Sequence, residues 1–148
     1  MIKNERQYGI TRTRATEFRA GLTDIEAHPR QSEQLHPLLR KAEQEALQSQ
    51  LETLEAELAE YEDLRSGKRN TFALTSFDEL PLALIKARIA SGLTQRDLAL
   101  RLGLKEQQIQ KYEASDYASA SLSRVQAVVR ALGVTVKEEM SLTGRSAA

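Results

Sequence analysis

The chain has 148 residues, 41% of them apolar and 28% charged, with 21 basic and 21 acidic side chains and therefore no net charge. That length and apolar content support one ordinary domain, or a small domain with a helical appendage, and exclude disorder throughout. The absence of cysteine excludes disulfides, thiolate metal sites and cysteine nucleophiles.

No stretch approaches the roughly 18 consecutive apolar residues of a membrane span, and the opening residues MIKNERQYG lack the apolar core of a signal peptide. A cytoplasmic protein without membrane contact is expected. His28 and His36 stand in no ligand or triad setting and read as turn and helix-entry residues. No metal, cofactor or enzymatic activity is expected.

The first 66 residues read as helical. Residues 11–27 form a short helix that ends before Pro29, because proline disfavours the α conformation in the residue preceding it. Ser32, Leu35, Leu39, Ala42 and Ala46 open a second helix. Leu47, Leu51, Leu54, Leu58 and Tyr61 continue it at alternating four and three spacing, an apolar a/d seam of little over two heptads. The seam is expected to pack on the first helix and across a dimer axis, or within a hairpin of one chain. Residues 43–63 carry eight acids and no Lys or Arg, so the helix lacks the complementary lysines of a parallel zipper.

RSGKRNTFALT, residues 65–75, breaks the helical pattern with Gly67 and Asn70 and marks a linker. Its cations Arg65, Lys68 and Arg69 read either as a solvated charge run or as a basic arm. Beyond it, Ser76 with Glu79, Thr94 with Asp97 and Thr135 with Glu138 each place a hydroxyl three residues before a carboxylate, the spacing that satisfies free amides at a helix start. Gly92, Gly103 and Gly133 sit where those helices should end. Helices are predicted at 81–91, 94–101, 105–114 and 121–132, with a fifth at 136–140. Residues 81–136 hold eight basic against four acidic side chains, a net of +4, which suits phosphate contacts.

Within this half the segment LTQRDLALRLGLKEQQIQKYEAS, residues 93–115, is a helix, a turn at Gly103 and a second helix packing through Leu98, Ala99, Leu102 and Ile109. With Ala87-Arg88, Gly92 to Gln95, Leu98-Ala99, Leu102 to Leu104, Ile109, Tyr112-Glu113, Ser121-Leu122 and Ala131 to Val134, it resembles the phage-repressor and Cro-like helix-turn-helix family over residues about 80–136. The resemblance implies an all-α fold with a lambda-repressor-like five-helix DNA-binding domain at 76–148; the residues before it read as a linker at 67–75 and a helical dimerisation or interaction region at 1–66. It does not extend to the N-terminal helices, which form a helical hairpin or short coiled coil.

The resemblance further implies that 105–114 is the recognition helix in the major groove. Glu106, Gln107, Gln110 and Lys111 then take the base-reading positions. Gln95 takes that of a phosphate contact, joined by Arg96, Lys105 and the loop hydroxyls of Tyr117, Ser119 and Ser121. Arg88 and Glu113 match a pair that forms a partly buried salt bridge. Ala114 and Ser115 depart from the asparagine and glycine common in the family, which removes one phosphate contact. A glutamine amide fits the N6 and N7 edge of adenine, and a lysine fits guanine, so the chemistry agrees with the assignment.

The expected function is a homodimeric regulator, a repressor, on a near-palindromic double-stranded DNA operator, with Leu47, Leu51, Leu54, Leu58 and Tyr61 at the dimer interface. The alternative is an antitoxin that neutralises a protein toxin through its N-terminal helices and represses its own operon.

Overall fold

The first helix, α1 (Glu5–Ala27), begins six residues earlier than the apolar pattern predicts because Asn4 caps it. The Asn4 side chain accepts from the Gln7 amide at 2.9 Å, and Glu5 places an acid in the first turn, where the helix dipole favours it. The computed structural model describes residues 1–28 and 36–142. The predicted entry of the second helix at Ser32 and Leu35 lies outside the described residues. The helix α2 (Pro37–Arg65) starts with His36, whose ring accepts from the Leu38 amide, and with proline in its first turn, where a missing N–H costs nothing.

Two units are present, Met1–Arg69 and Asn70–Ala148. In the first, α1 and α2 pack side by side along most of their length. Leu51 is buried with Ala15 and Leu22, and Leu47, Leu54, Leu58 and Phe18 close around them. Inward positions on α1 fall at Tyr8, Thr11, Ala15, Phe18, Leu22 and Ile25, the same alternation of three and four as the seam on α2. The helices run antiparallel, since Glu5 reaches Tyr61 Oη at 3.1 Å and Arg65 Nη1 at 3.2 Å, while Arg19 pairs with Glu55. The Tyr8 and Tyr61 rings stack at 5.3 Å, with the Arg65 guanidinium 5.0 Å from the Tyr8 ring centre. Glu5, by hydrogen bond and charge, raises the Arg65 pKa above its ordinary value.

The second unit opens with one 3-10 turn, Phe77–Glu79, followed by α3 (Leu80–Ala90), α4 (Gln95–Leu102), α5 (Glu106–Ala114) and α6 (Leu122–Leu132). Its core joins Leu84 and Ile85 of α3, Leu98 of α4, Ile109 of α5 and Val128 of α6, each 2% exposed or less. α4 packs on both α5 and α6, and α3 packs on α6. Among the described residues the chain is all-helical without strands, the fold class expected. The predicted fifth helix at 136–140 is absent: residues 134–142 are not helical. Val134, Thr135 and Val136 are β-branched and poor helix formers, and the exposed Met140 and Leu142 have no core to face. The Thr135 and Glu138 spacing caps nothing.

Candidate nucleic-acid interface

Thr94 starts α4 with a reciprocal cap. Its hydroxyl accepts from the Asp97 amide at 3.1 Å, while Asp97 Oδ2 accepts from the Thr94 amide at 2.9 Å and its hydroxyl at 2.6 Å. These bonds hold the Asp97 carboxyl below its ordinary pKa. At the far end Gly103 takes the left-handed conformation at φ 66°. The Leu104 amide reaches back to the Ala99 carbonyl at 2.9 Å, and the Gly103 amide to Leu100 at 3.2 Å. This pair of bonds turns the chain sharply. Two residues later α5 begins, with Gln108 Oε1 accepting from the Lys105 amide at 3.0 Å. Ala99, 1% exposed, keeps the crossing close.

α5 is divided lengthwise. Ile109 and Glu113 are fully buried; Glu106, Gln107, Gln110 and Lys111 are exposed and share one face, since positions three and four apart on a helix are neighbours. Gln110 Nε2 donates to Glu106 Oε1 at 3.1 Å. The anchor behind this face is Glu113. Arg88 Nε donates to its Oε1 at 2.6 Å and Arg88 Nη2 to its Oε2 at 2.8 Å, while Arg88 Nη1 donates to the Leu93 carbonyl at 2.7 Å. Arg88 is 3% exposed, so the expected salt-bridge residues meet as a two-pronged, fully desolvated pair.

Two residues lie elsewhere than the phosphate role requires. Gln95 is 6% exposed and donates its Nε2 to Glu113 Oε2 at 2.8 Å. A carboxylate has about four lone-pair sites and the arginine fork fills only two, so the buried Glu113 draws the Gln95 amide inward. Tyr117 is 3% exposed, with its ring 6.1 Å from that of Tyr112 and its hydroxyl buried without a hydrogen-bond partner. Burial, with the charge of Glu113 adding, pushes its phenol well above the ordinary pKa against the opposing charge of Arg88. The sequence shows Tyr117 only as a hydroxyl in a polar loop; the left-handed backbone at Asp116 and Tyr117, φ 47° and 59°, turns the ring inward. Arg96, Lys105, Ser119 and Ser121 remain exposed. Ser121 caps α6 by accepting from the Arg124 amide at 3.2 Å, and Ser119 Oγ lies 3.3 Å from Ser115 Oγ.

The seam residues proposed for a dimer interface are occupied within the chain. Leu51 and Tyr61 are 5% exposed, and Leu47, Leu54 and Leu58 pack beside α1. The added first turns of α1, from Glu5, carry part of the stripe that meets this seam.

Residues 84–138 match the helix-turn-helix family model. Over these residues the chain is similar to the Cro-like helix-turn-helix family. No curated protein and no solved structure gives a significant match to the chain. The family is one of DNA-binding transcriptional regulators, and the helix-turn-helix pair is α4 and α5. No helix among the described residues is long and apolar enough to cross a membrane.

Proposed function

We propose that this chain is a homodimeric, sequence-specific regulator, a repressor, that places α5 in the major groove of a near-palindromic operator. The observation that carries the proposal is the division of α5. One side is fixed to α3 and α4 through Ile109, Glu113 and Arg88, while Glu106, Gln107, Gln110 and Lys111 are exposed to solvent on the other. That arrangement suits a reading head, since base edges are recognised by polar side chains held at fixed spacing. Arg96, Lys105, Ser119 and Ser121 form the proposed phosphate set. Gln95 and Tyr117 leave it, because their polar atoms lie inside the domain.

Dimerisation belongs to the proposal because one domain of this size covers one half-site. We assign it to the hairpin before residue 66, with Leu47, Leu51, Leu54, Leu58 and Tyr61 supporting the surface from behind. The test is a binding selection from randomised duplexes, run on the wild type and on Gln107→Ala with Lys111→Ala. Paired half-sites spaced by about 10 base pairs or a multiple, with preference lost in the variant, are expected. Equal enrichment of the same motif by both proteins would refute the assignment of α5.

A second reading rests on α2, where Glu43, Glu45, Glu52, Glu55, Glu62 and Asp63 are exposed. Such a face complements a basic protein surface, as an antitoxin neutralising a protein toxin requires. The DNA-binding domain then serves autoregulation. Stoichiometric co-purification of a small basic protein from the native cell, lost on removing residues 1–66, distinguishes this reading from the first.

A further inference from the structure

Resting on the DNA-binding reading, we infer that Glu106 and Gln110 act together as a reader of one C·G base pair in each half-site. Glu106 is the first residue of α5 and exposed, and recognition helices meet base edges with their N-terminal residues. A carboxylate is an acceptor only. Guanine offers the major groove two acceptors, thymine an acceptor and a methyl group, and adenine a donor flanked by the N7 acceptor. Cytosine alone offers an amino donor with no acceptor on its own edge.

Gln110 fixes which oxygen is used and completes the pattern. One N–H of its Nε2 is spent on Glu106 Oε1 at 3.1 Å. The second Glu106 oxygen then remains to accept from cytosine N4, and the second N–H of Gln110 remains to donate to O6 of the paired guanine. The two residues present an acceptor and a donor side by side, the complement of a C·G pair. A carboxylate alone has no donor for guanine and rotates freely. Gln110 is thus a positioning residue for Glu106 as well as a contact.

The experiment is the same randomised selection on the full chain, comparing wild type, Glu106→Gln and Gln110→Ala. The wild type should enrich C·G at one position of each half-site. Glu106→Gln should move that position to A·T, since a glutamine amide fits adenine, and leave the other positions unchanged. Gln110→Ala should reduce discrimination at that base pair alone, by roughly 5- to 100-fold. Needing no variant, a duplex carrying N4-methylcytosine at the selected position loses the groove-facing N–H but still pairs with guanine, and should bind the wild type about 10-fold more weakly. Unchanged affinity for that duplex, or the same base selected by wild type and Glu106→Gln, overturns the inference and leaves DNA binding standing. Tighter binding of Glu106→Gln to all sequences equally also overturns it, reducing Glu106 to a repulsive charge. A wild type that enriches no motif overturns both this inference and the proposed function.

Discussion

Replacing Glu113 with leucine deletes the acceptor of three hydrogen bonds, at 2.6, 2.8 and 2.8 Å, from Arg88 and Gln95. It leaves the Arg88 guanidinium, 3% exposed, with the Leu93 carbonyl as its remaining acceptor among these contacts. Stranding one member of a buried ion pair costs about 3 to 5 kcal/mol, and the hydrogen bond lost from the Gln95 amide adds about 1 kcal/mol. Against a total stability of about 5 to 15 kcal/mol, that is a large fraction. In a domain of this size each kcal/mol moves the melting point by about 4 to 8 °C, so the second unit should melt on the order of 15 °C lower or more. Calorimetry on the full chain resolves this, because the hairpin transition serves as an internal control. The double variant Arg88→Met with Glu113→Leu should recover much of the loss, since an apolar pair of similar volume often equals a buried ion pair. Single variants that melt within a degree or two of wild type, or a double variant no better than the worse single, would refute the reasoning.

Other outcomes follow from the same geometry. Tyr117→Phe removes a buried hydroxyl that has no partner and should be neutral or stabilising by about 1 kcal/mol, with DNA affinity unchanged; weakened DNA binding would return Tyr117 to the phosphate set. Asp97 has its pKa depressed below 3.8 by the Thr94 hydroxyl and amide, so its contribution is complete above that value and is lost as pH falls through the lower folded value. Wild type and Asp97→Ala should therefore differ in melting temperature near neutrality and converge in acid, and a gap unchanged in strong acid contradicts this. Leu51→Ala should cost the hairpin about 2 to 5 kcal/mol and leave the melting of the second unit untouched. Lys105→Ala should weaken binding to all sequences alike and lower the salt slope by about one unit, and a change in sequence preference would place Lys105 among the base readers.

How far these features were legible depended on whether the deciding interaction was local. The Thr94 and Asp97 spacing specifies a reciprocal cap three residues long, and the cap forms. The Ser76 and Glu79 spacing is displaced by one, because Glu79 is taken by Thr75, its amide at 2.7 Å and its hydroxyl at 2.9 Å. Asn4 is as good a cap as any serine, but no apolar period follows it closely enough to mark a helix start there. The seam on α2 was visible, but its partner on α1 mixes Tyr8, Thr11 and Ala15 with Phe18 and Leu22, a stripe too polar at its start to stand out. Gln95 reads as a surface residue because its surroundings are set by Glu113, 18 positions further along the chain, and Tyr117 does so because the left-handed backbone at 116 and 117 that turns its ring inward cannot be read from the residue types.

The lengthwise division of α5 also has a consequence for how such a protein changes over time. The groups that anchor the helix to the core, Ile109 and Glu113 from within and Arg88 and Gln95 from its neighbours, lie beneath the surface, while the exposed side chains at 106, 107, 110 and 111 bear no core weight. Substitution on that face is therefore nearly free of thermodynamic penalty, as expected for exposed positions. New operator preferences can accumulate there one side chain at a time, with the scaffold under no pressure to adjust.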